Sequence, residues 1–97
     1  MRVSVIAKNT TATPALKDMV EKKLSKIKKY FNPDVEVKAT LSVQKNKQKV
    51  EITIPFNGVI LRAEESTEDM YKSIDLVINK LERQIRKQRT KLLKKSN

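Results

Sequence analysis

The sequence lacks several residue types on which protein chemistry often depends. It contains no cysteine, no histidine and no tryptophan, and only one glycine. Without cysteine there is neither a disulfide scaffold nor thiolate chemistry, and without histidine the usual general base and the commonest metal ligand are missing. A single glycine excludes a glycine-rich, phosphate-cradling loop. These absences argue against an enzyme, a metal site, a bound cofactor or a small-molecule substrate.

Long apolar runs are also missing. No stretch approaches the ~18 apolar residues that a membrane-spanning helix needs, and no signal peptide precedes the first predicted strand. We therefore expect a cytoplasmic protein that makes no use of a membrane. The length of 97 residues and the 38% hydrophobic content predict one modest core in a single domain, residues 1–97, which we expect to be monomeric.

Positive charge is the most informative feature that is present. Twenty-two Lys and Arg stand against eleven Asp and Glu, which leaves a net charge of +11. A charge of this size repels itself and favours a polyanionic partner. The basic residues become denser toward the end of the sequence, where we expect a basic helical extension at about residues 86–97.

Hydrophobic periodicity predicts six elements in the order β-α-β-β-β-α. Alternating apolar residues predict strands at 1–7, 35–43, 50–56 and 59–65. A polar turn at 44–48 separates the second and third strands, and Asn57-Gly58 predicts a tight hairpin between the third and fourth.

Two apolar stripes at helical spacing predict the helices. Thr13 and Pro14 are suited to start the first, and Asn32-Pro33 to stop it. Ser66 and Thr67 are both candidate N-caps of the second helix. The predicted architecture is α+β: a two-layer sandwich with a four-stranded mixed sheet and both helices on one face. The first crossover makes strands one and two parallel, and the two helices should run in the same direction.

Each helix carries a basic flank beside its apolar stripe. At about 100° per residue, Lys22, Lys26 and Lys29 share a flank on the first helix, and Lys23 lies inside the stripe, where it must reach for water or an anion. On the second helix the flank contains Lys80, Arg83, Lys87, Lys91 and Lys94. A solvated surface is the ordinary explanation of one such flank, but two flanks and the net charge together favour a nucleic-acid surface.

Other candidate features are explained by structure alone. Lys45, Lys47 and Lys49 could simply protect a strand edge. The four aromatic residues lie next to apolar stripes and are expected in the core, so RNA contacts should be mainly to phosphate and sugar. Capping accounts for the paired carboxylates Glu64-Glu65 and Glu68-Asp69 better than catalysis does.

The second half of the sequence resembles the ribosome hibernation promoting factor family, also called protein Y or ribosome-associated inhibitor. The resemblance is carried by the hairpin Asn-Gly, by ESTEDMYKSID and above all by KLERQIRK, and TPALKDMVEKKLSKIKKYF is similar to the family's first helix. It covers essentially the whole chain. The sequence ends without the second, dimerising domain of long members and without the acidic tail of some short ones, so it is most similar to the N-terminal half of a long member.

The resemblance implies a fold similar to double-stranded-RNA-binding domains and a partner, the small ribosomal subunit with its ribosomal RNA. Family members occupy the channel between head and body, where messenger RNA and transfer RNA bind at the A and P sites, and so stop translation. The basic positions carried over to this chain are Lys22, Lys23, Lys26, Lys29, Lys80, Arg83, Arg86 and Lys87. Arg86 lies off the main flank, and the helical wheel adds Lys91.

Two other functions remain open from the residues. A general binder of structured RNA would bind free duplex RNA and ribosomes with similar affinity. A regulatory protein-interaction module would show little salt dependence and no association with ribosomes.

Overall fold

The computed structural model describes the backbone of residues 1–95 and the side chains of residues 1–89. Four strands form one sheet in the order β1-β2-β3-β4, in which β1 and β2 are parallel and the other neighbours are antiparallel. The predicted α+β fold, with a mixed four-stranded sheet and two helices, is confirmed. The elements are β1 (Arg2–Lys8), α1 (Pro14–Leu24), a 3₁₀ helix (Lys28–Tyr30), β2 (Glu36–Gln44), β3 (Lys47–Phe56), β4 (Val59–Thr67) and α2 (Met70–Lys95).

The core lies between the helices and one face of the sheet. Alternate residues of β2, β3 and β4 are buried, as the period of two in a strand requires. Both helices place their apolar stripes on the same cluster. The fully buried side chains at its centre include Val20, Leu24, Ile27, Leu41, Ile52, Ile54, Ile74, Ile78, Leu81 and Ile85. The opposite face of the sheet is therefore open.

The first helix is shorter than predicted. It begins at Pro14, and the Thr13 hydroxyl accepts a hydrogen bond from the Leu16 N–H at 3.2 Å, as expected of the cap. It ends at Leu24 instead of continuing to Asn32. The Ser25 hydroxyl donates to the Lys22 carbonyl, and the next backbone bonds span three residues. This local competition tightens the chain into a 3₁₀ helix while Ile27 stays fully buried.

The second helix starts later than predicted. Ser66 and Thr67 belong to β4, because pairing with β3 extends as far as Gln48 and Thr67. The cap is Asp69, whose carboxylate accepts from the Tyr71 N–H at 3.0 Å. The Thr67 hydroxyl accepts from the Asp69 N–H at 3.0 Å and so shapes the turn before the helix.

Both hairpin turns are tight. Asn57 and Gly58 adopt φ values of 48° and 83°, which confirms the turn predicted from that pair. The turn between β2 and β3 contains only Lys45 and Asn46, so the predicted polar segment 44–48 is mostly strand. Lys45 adopts a φ of 56° in this turn.

Candidate nucleic-acid interface

The two faces of the molecule differ in how their charges are compensated. On the open face of the sheet, cross-strand ion pairs join Arg2 to Glu36, Lys49 to Glu64 and Arg62 to Glu51, at 2.8–3.0 Å. Lys49 lowers the pKa of Glu64 by hydrogen bond and charge, so that carboxylate stays ionised. The helix layer instead exposes Lys22, Lys26, Lys28 and Lys29, for which the described residues provide no ion pair. The open face also carries Lys8, Lys38 and Lys47, which make no ion pair to the described residues, but most of the described cations without an ion pair lie on the helix layer.

Lys23 joins the two helices. Its ammonium lies 2.9 Å from the carboxylate of Asp75 on α2, and its side chain is only 23% exposed. The hydrogen bond and charge of Lys23, with a smaller contribution from Lys26, lower the pKa of Asp75. The prediction that Lys23 must reach for water or an anion is confirmed, and the anion belongs to its own chain.

A second junction forms further along both helices. The ring of Tyr30 has the Lys29 ammonium 5.3 Å and the Arg89 guanidinium 5.1 Å from its centroid, which is cation–π distance. Lys23 precedes Tyr30 in the chain, and their partners Asp75 and Arg89 follow in the same order along α2. The helices therefore run in the same direction, as predicted, and their facing sides stay together over this length.

The predicted flank of α2 lies on the side away from α1. Lys80 donates to the Glu64 carbonyl at 3.1 Å and pairs with Glu65 at 3.2 Å, and Gln84 donates to the Arg62 carbonyl at 2.9 Å. These contacts place this side of the helix over β4. Lys87 lies on the same side by helical periodicity, and Arg83 lies on the outer ridge of α2.

Arg86 lies on the side that faces α1. It pairs with Glu82 one turn earlier, and helical periodicity places it on the same side of α2 as Asp75, which contacts Lys23. The structure thus places two sets of cations on opposite sides of α2. We call Lys22, Lys26, Lys29, Arg86 and Arg89 the interhelical surface, and Lys80, Arg83 and Lys87 the outer flank.

Three sequence interpretations change with this geometry. The interhelical surface, not the predicted α2 flank, joins the basic residues of both helices. Arg89 was missed, although its spacing from Glu82 and Arg86 puts all three on one helical side. Glu65 pairs with Lys80 and does not cap a helix. The side chain of Lys91, another predicted contact, lies outside the described residues.

Metal ions and membranes are two other possible partners of the described part of the chain. Within it, no group of three or more His, Cys, Asp or Glu side chains is arranged to hold a metal ion. No described helix combines the length and apolar character needed to cross a membrane.

Known proteins are similar to this chain in sequence. The ribosome hibernation promotion factors of Bacillus subtilis and Staphylococcus aureus are 47% and 40% identical to it over 98% and 99% of this chain. The chain spans about half, 52%, of the length of each of these relatives.

Two solved structures are similar as well. The Thermus thermophilus protein Y N-terminal domain has a TM-score of 0.81 at 33% identity, covering 90% of this chain and 98% of its own. A ribosomal subunit interface protein from Coxiella burnetii has a TM-score of 0.82 at 26% identity, with coverage of 93% and 99%. The family model described as Sigma 54 modulation protein / S30EA ribosomal protein matches residues 3–93. The chain belongs to this family.

Proposed function

We propose that this chain is a ribosome hibernation factor that binds the small ribosomal subunit and its ribosomal RNA. The uncompensated charge of the helix layer carries the proposal, because RNA phosphates are the polyanion that such a surface fits. The names of the relatives support it: two are ribosome hibernation promotion factors and one is a ribosomal subunit interface protein.

The proposed mechanism is steric and needs no catalytic group. The protein occupies the channel that messenger RNA and the anticodon ends of transfer RNA need at the A and P sites, and translation stops while it stays there. Electrostatic contacts hold it in place, and such contacts fix position without reading base sequence. A protein with this function acts in the cytoplasm, in contact with ribosomes.

The interhelical surface and the outer flank have different parts in this mechanism. Lys22, Lys26 and Lys29 are exposed and unpaired among the described side chains, so they can bind phosphate at once. Lys80 and Lys23 already hold carboxylates of the chain, so they orient the surface as well as adding charge. The interhelical surface and the outer flank lie on opposite sides of α2, so that helix would insert between two RNA segments. Arg83 and Lys87 would contact one of these segments, and Lys91 would contact it further along.

Co-sedimentation with isolated small subunits over a salt series tests the proposal. Neutralising about six phosphates should give a slope of log affinity against log salt of roughly −4 to −5. Binding should survive an excess of free duplex RNA and exclude transfer RNA from the P site. If duplex RNA of any sequence displaced the chain from small subunits, the chain would be a general RNA binder. Absence of sedimentation with ribosomes would contradict the proposal.

A further inference from the structure

A hollow of about 510 Å³ lies at the end of the molecule where the 3₁₀ helix and the following loop meet the Asn57-Gly58 turn. Its volume is within the range of small-ligand sites. The partly buried Phe31 and the exposed Val59 form its apolar wall, and Phe31 packs edge to face on the buried Phe56 with their centroids 5.3 Å apart. Ile60, which is 72% exposed, stands at the rim. The hollow therefore offers apolar surface that nothing in the described chain covers.

Polar side chains with no partner surround this apolar wall. Asn32, Asp34 and Asn57 line the hollow and are exposed, and none of their side chains makes a hydrogen bond or ion pair to the described residues. The backbone that carries them is nevertheless fixed. The Arg2 N–H donates to the Val35 carbonyl at 2.8 Å, and the Arg2 guanidinium donates to the Asp34 carbonyl at 3.4 Å. The side chains of Asn32, Asp34 and Asn57 thus place hydrogen-bond donors and acceptors around an apolar surface.

Positive charge lies beside one residue of the lining, although no described Lys or Arg lines the hollow itself. Tyr30 is part of the lining, and its ring is contacted by Lys29 and Arg89. An apolar wall, hydrogen-bonding groups and adjacent cations together match the three parts of a nucleotide: the base, its polar edge and its phosphate. RNA-binding proteins read unpaired bases by stacking and by hydrogen bonds to their edges.

We propose that this hollow binds one unpaired guanine nucleotide of RNA. Asp34 is the selecting group, because an ionised carboxylate only accepts hydrogen bonds and guanine presents adjacent N1–H and N2–H₂ donors. Adenine presents an acceptor at N1, which the carboxylate repels. Lys29 and Arg89 bind the phosphate. The inference rests on the proposed function only in naming RNA as the source of the nucleotide, and it adds base reading to a surface that otherwise contacts phosphate.

The test is a nuclear magnetic resonance titration of the full chain with guanosine monophosphate, adenosine monophosphate, uridine monophosphate and inorganic phosphate. Gly58 lines the hollow and is the single glycine, so its amide signal is a ready local probe. We expect a saturable shift of this signal with guanosine monophosphate and a dissociation constant about tenfold lower than for adenosine monophosphate. Equal effects of the two purines, or the same shift with inorganic phosphate, would overturn the inference.

Two variants with the same change in charge sharpen the test. Asp34→Asn should lower the affinity for guanosine monophosphate about tenfold and leave phosphate binding unchanged. Asp18→Asn, at an exposed position on α1, is the control and should bind as the wild type does. Similar affinities in both variants would contradict the role of Asp34. Because the titration contains no ribosomes, its failure is distinguishable from failure of small-subunit binding, which would overturn the proposed function instead.

Discussion

At the scale of single residues, Lys23 shows how one contact between helices organises a charged surface. A lysine inside an apolar stripe must lead its ammonium to water or to an anion, and the sequence places Lys23 in such a stripe. The sequence could not identify Asp75 as that anion, because the packing of α1 on α2 decides the partner. The pair leaves Lys22 and Lys26 beside it without partners of their own among the described residues.

The pKa of Asp75 should report this contact directly. Replacing Lys23 with Met removes the hydrogen bond and charge that lower the pKa, so the Asp75 pKa should rise toward the ordinary aspartate value. Carboxyl carbon shifts over a pH series measure it. Because the folded-state pKa is lowered, the pair stabilises the fold above the unfolded-state pKa, and this stabilisation is lost as pH falls through the lowered value.

A matched change at Lys17, which is exposed on α1, provides the control. Lys17→Met should leave the Asp75 titration where it is in the wild type. If Lys23→Met also left it there, the Lys23–Asp75 contact would not exist in solution.

At the scale of elements, a small polar network fixes the start of α2. Ser73 is fully buried, and its hydroxyl donates to the Gln48 carbonyl at 2.6 Å and lies 2.8 Å from the Thr67 hydroxyl. This network ties the first turn of α2 to the ends of β3 and β4. In this network Thr67 holds the end of β4, and Asp69 is the residue that caps α2.

Removing the Ser73 hydroxyl should therefore destabilise the whole fold. Ser73→Ala leaves the Gln48 carbonyl without its partner, and we expect a loss of about 1–3 kcal/mol in the free energy of unfolding. Ser66→Ala is the control: Ser66 is exposed in β4 and does not cap the helix, so the change should be within about 0.5 kcal/mol. Urea unfolding of both variants measures the difference. A larger loss of stability in Ser66→Ala than in Ser73→Ala would instead support Ser66 as the N-cap that the sequence predicts.

The Asn57-Gly58 turn gives a second prediction at this scale. Gly58 has a φ of +83°, and a Cβ added there would meet nothing within 4 Å. The cost of Gly58→Ala is thus backbone strain alone, about 1 kcal/mol in unfolding free energy. Thermal or urea unfolding measures it. An unchanged stability would mean that the turn relaxes to another conformation.

Local patterns predicted most of the elements, and tertiary contacts decided their ends. Strand alternation and the Asn57-Gly58 pair are local signals, so the order of elements and that hairpin followed from them. The helix break after Leu24 did not, because the apolar spacing continues through Ile27 to Phe31, while the Ser25 hydroxyl bond and the tighter turn that follows it keep Ile27 buried without a continuous helix. The side of α2 that faces α1 likewise depends on packing, which is why Arg89 was missed.

At the scale of the whole molecule, the sheet and the helices divide the charge. Three cross-strand ion pairs compensate part of the positive charge of the open face, whereas the helix layer presents cations from both helices around one junction. Net charge alone therefore understates how directional the field is. A polyanion should approach the helix layer in preference to the open face.

The salt dependence of small-subunit binding, measured on two double variants with equal charge change, tests this account most directly. Lys22→Glu with Lys26→Glu reverses two cations of the interhelical surface, and Lys17→Glu with Lys38→Glu reverses two exposed cations elsewhere, on α1 and on the open face. We predict that the first pair weakens binding strongly and makes the slope of log affinity against log salt shallower by about two. The second pair should bind with nearly the wild-type slope. Equal losses in both would show that only net charge matters and would contradict the assignment of binding to the interhelical surface.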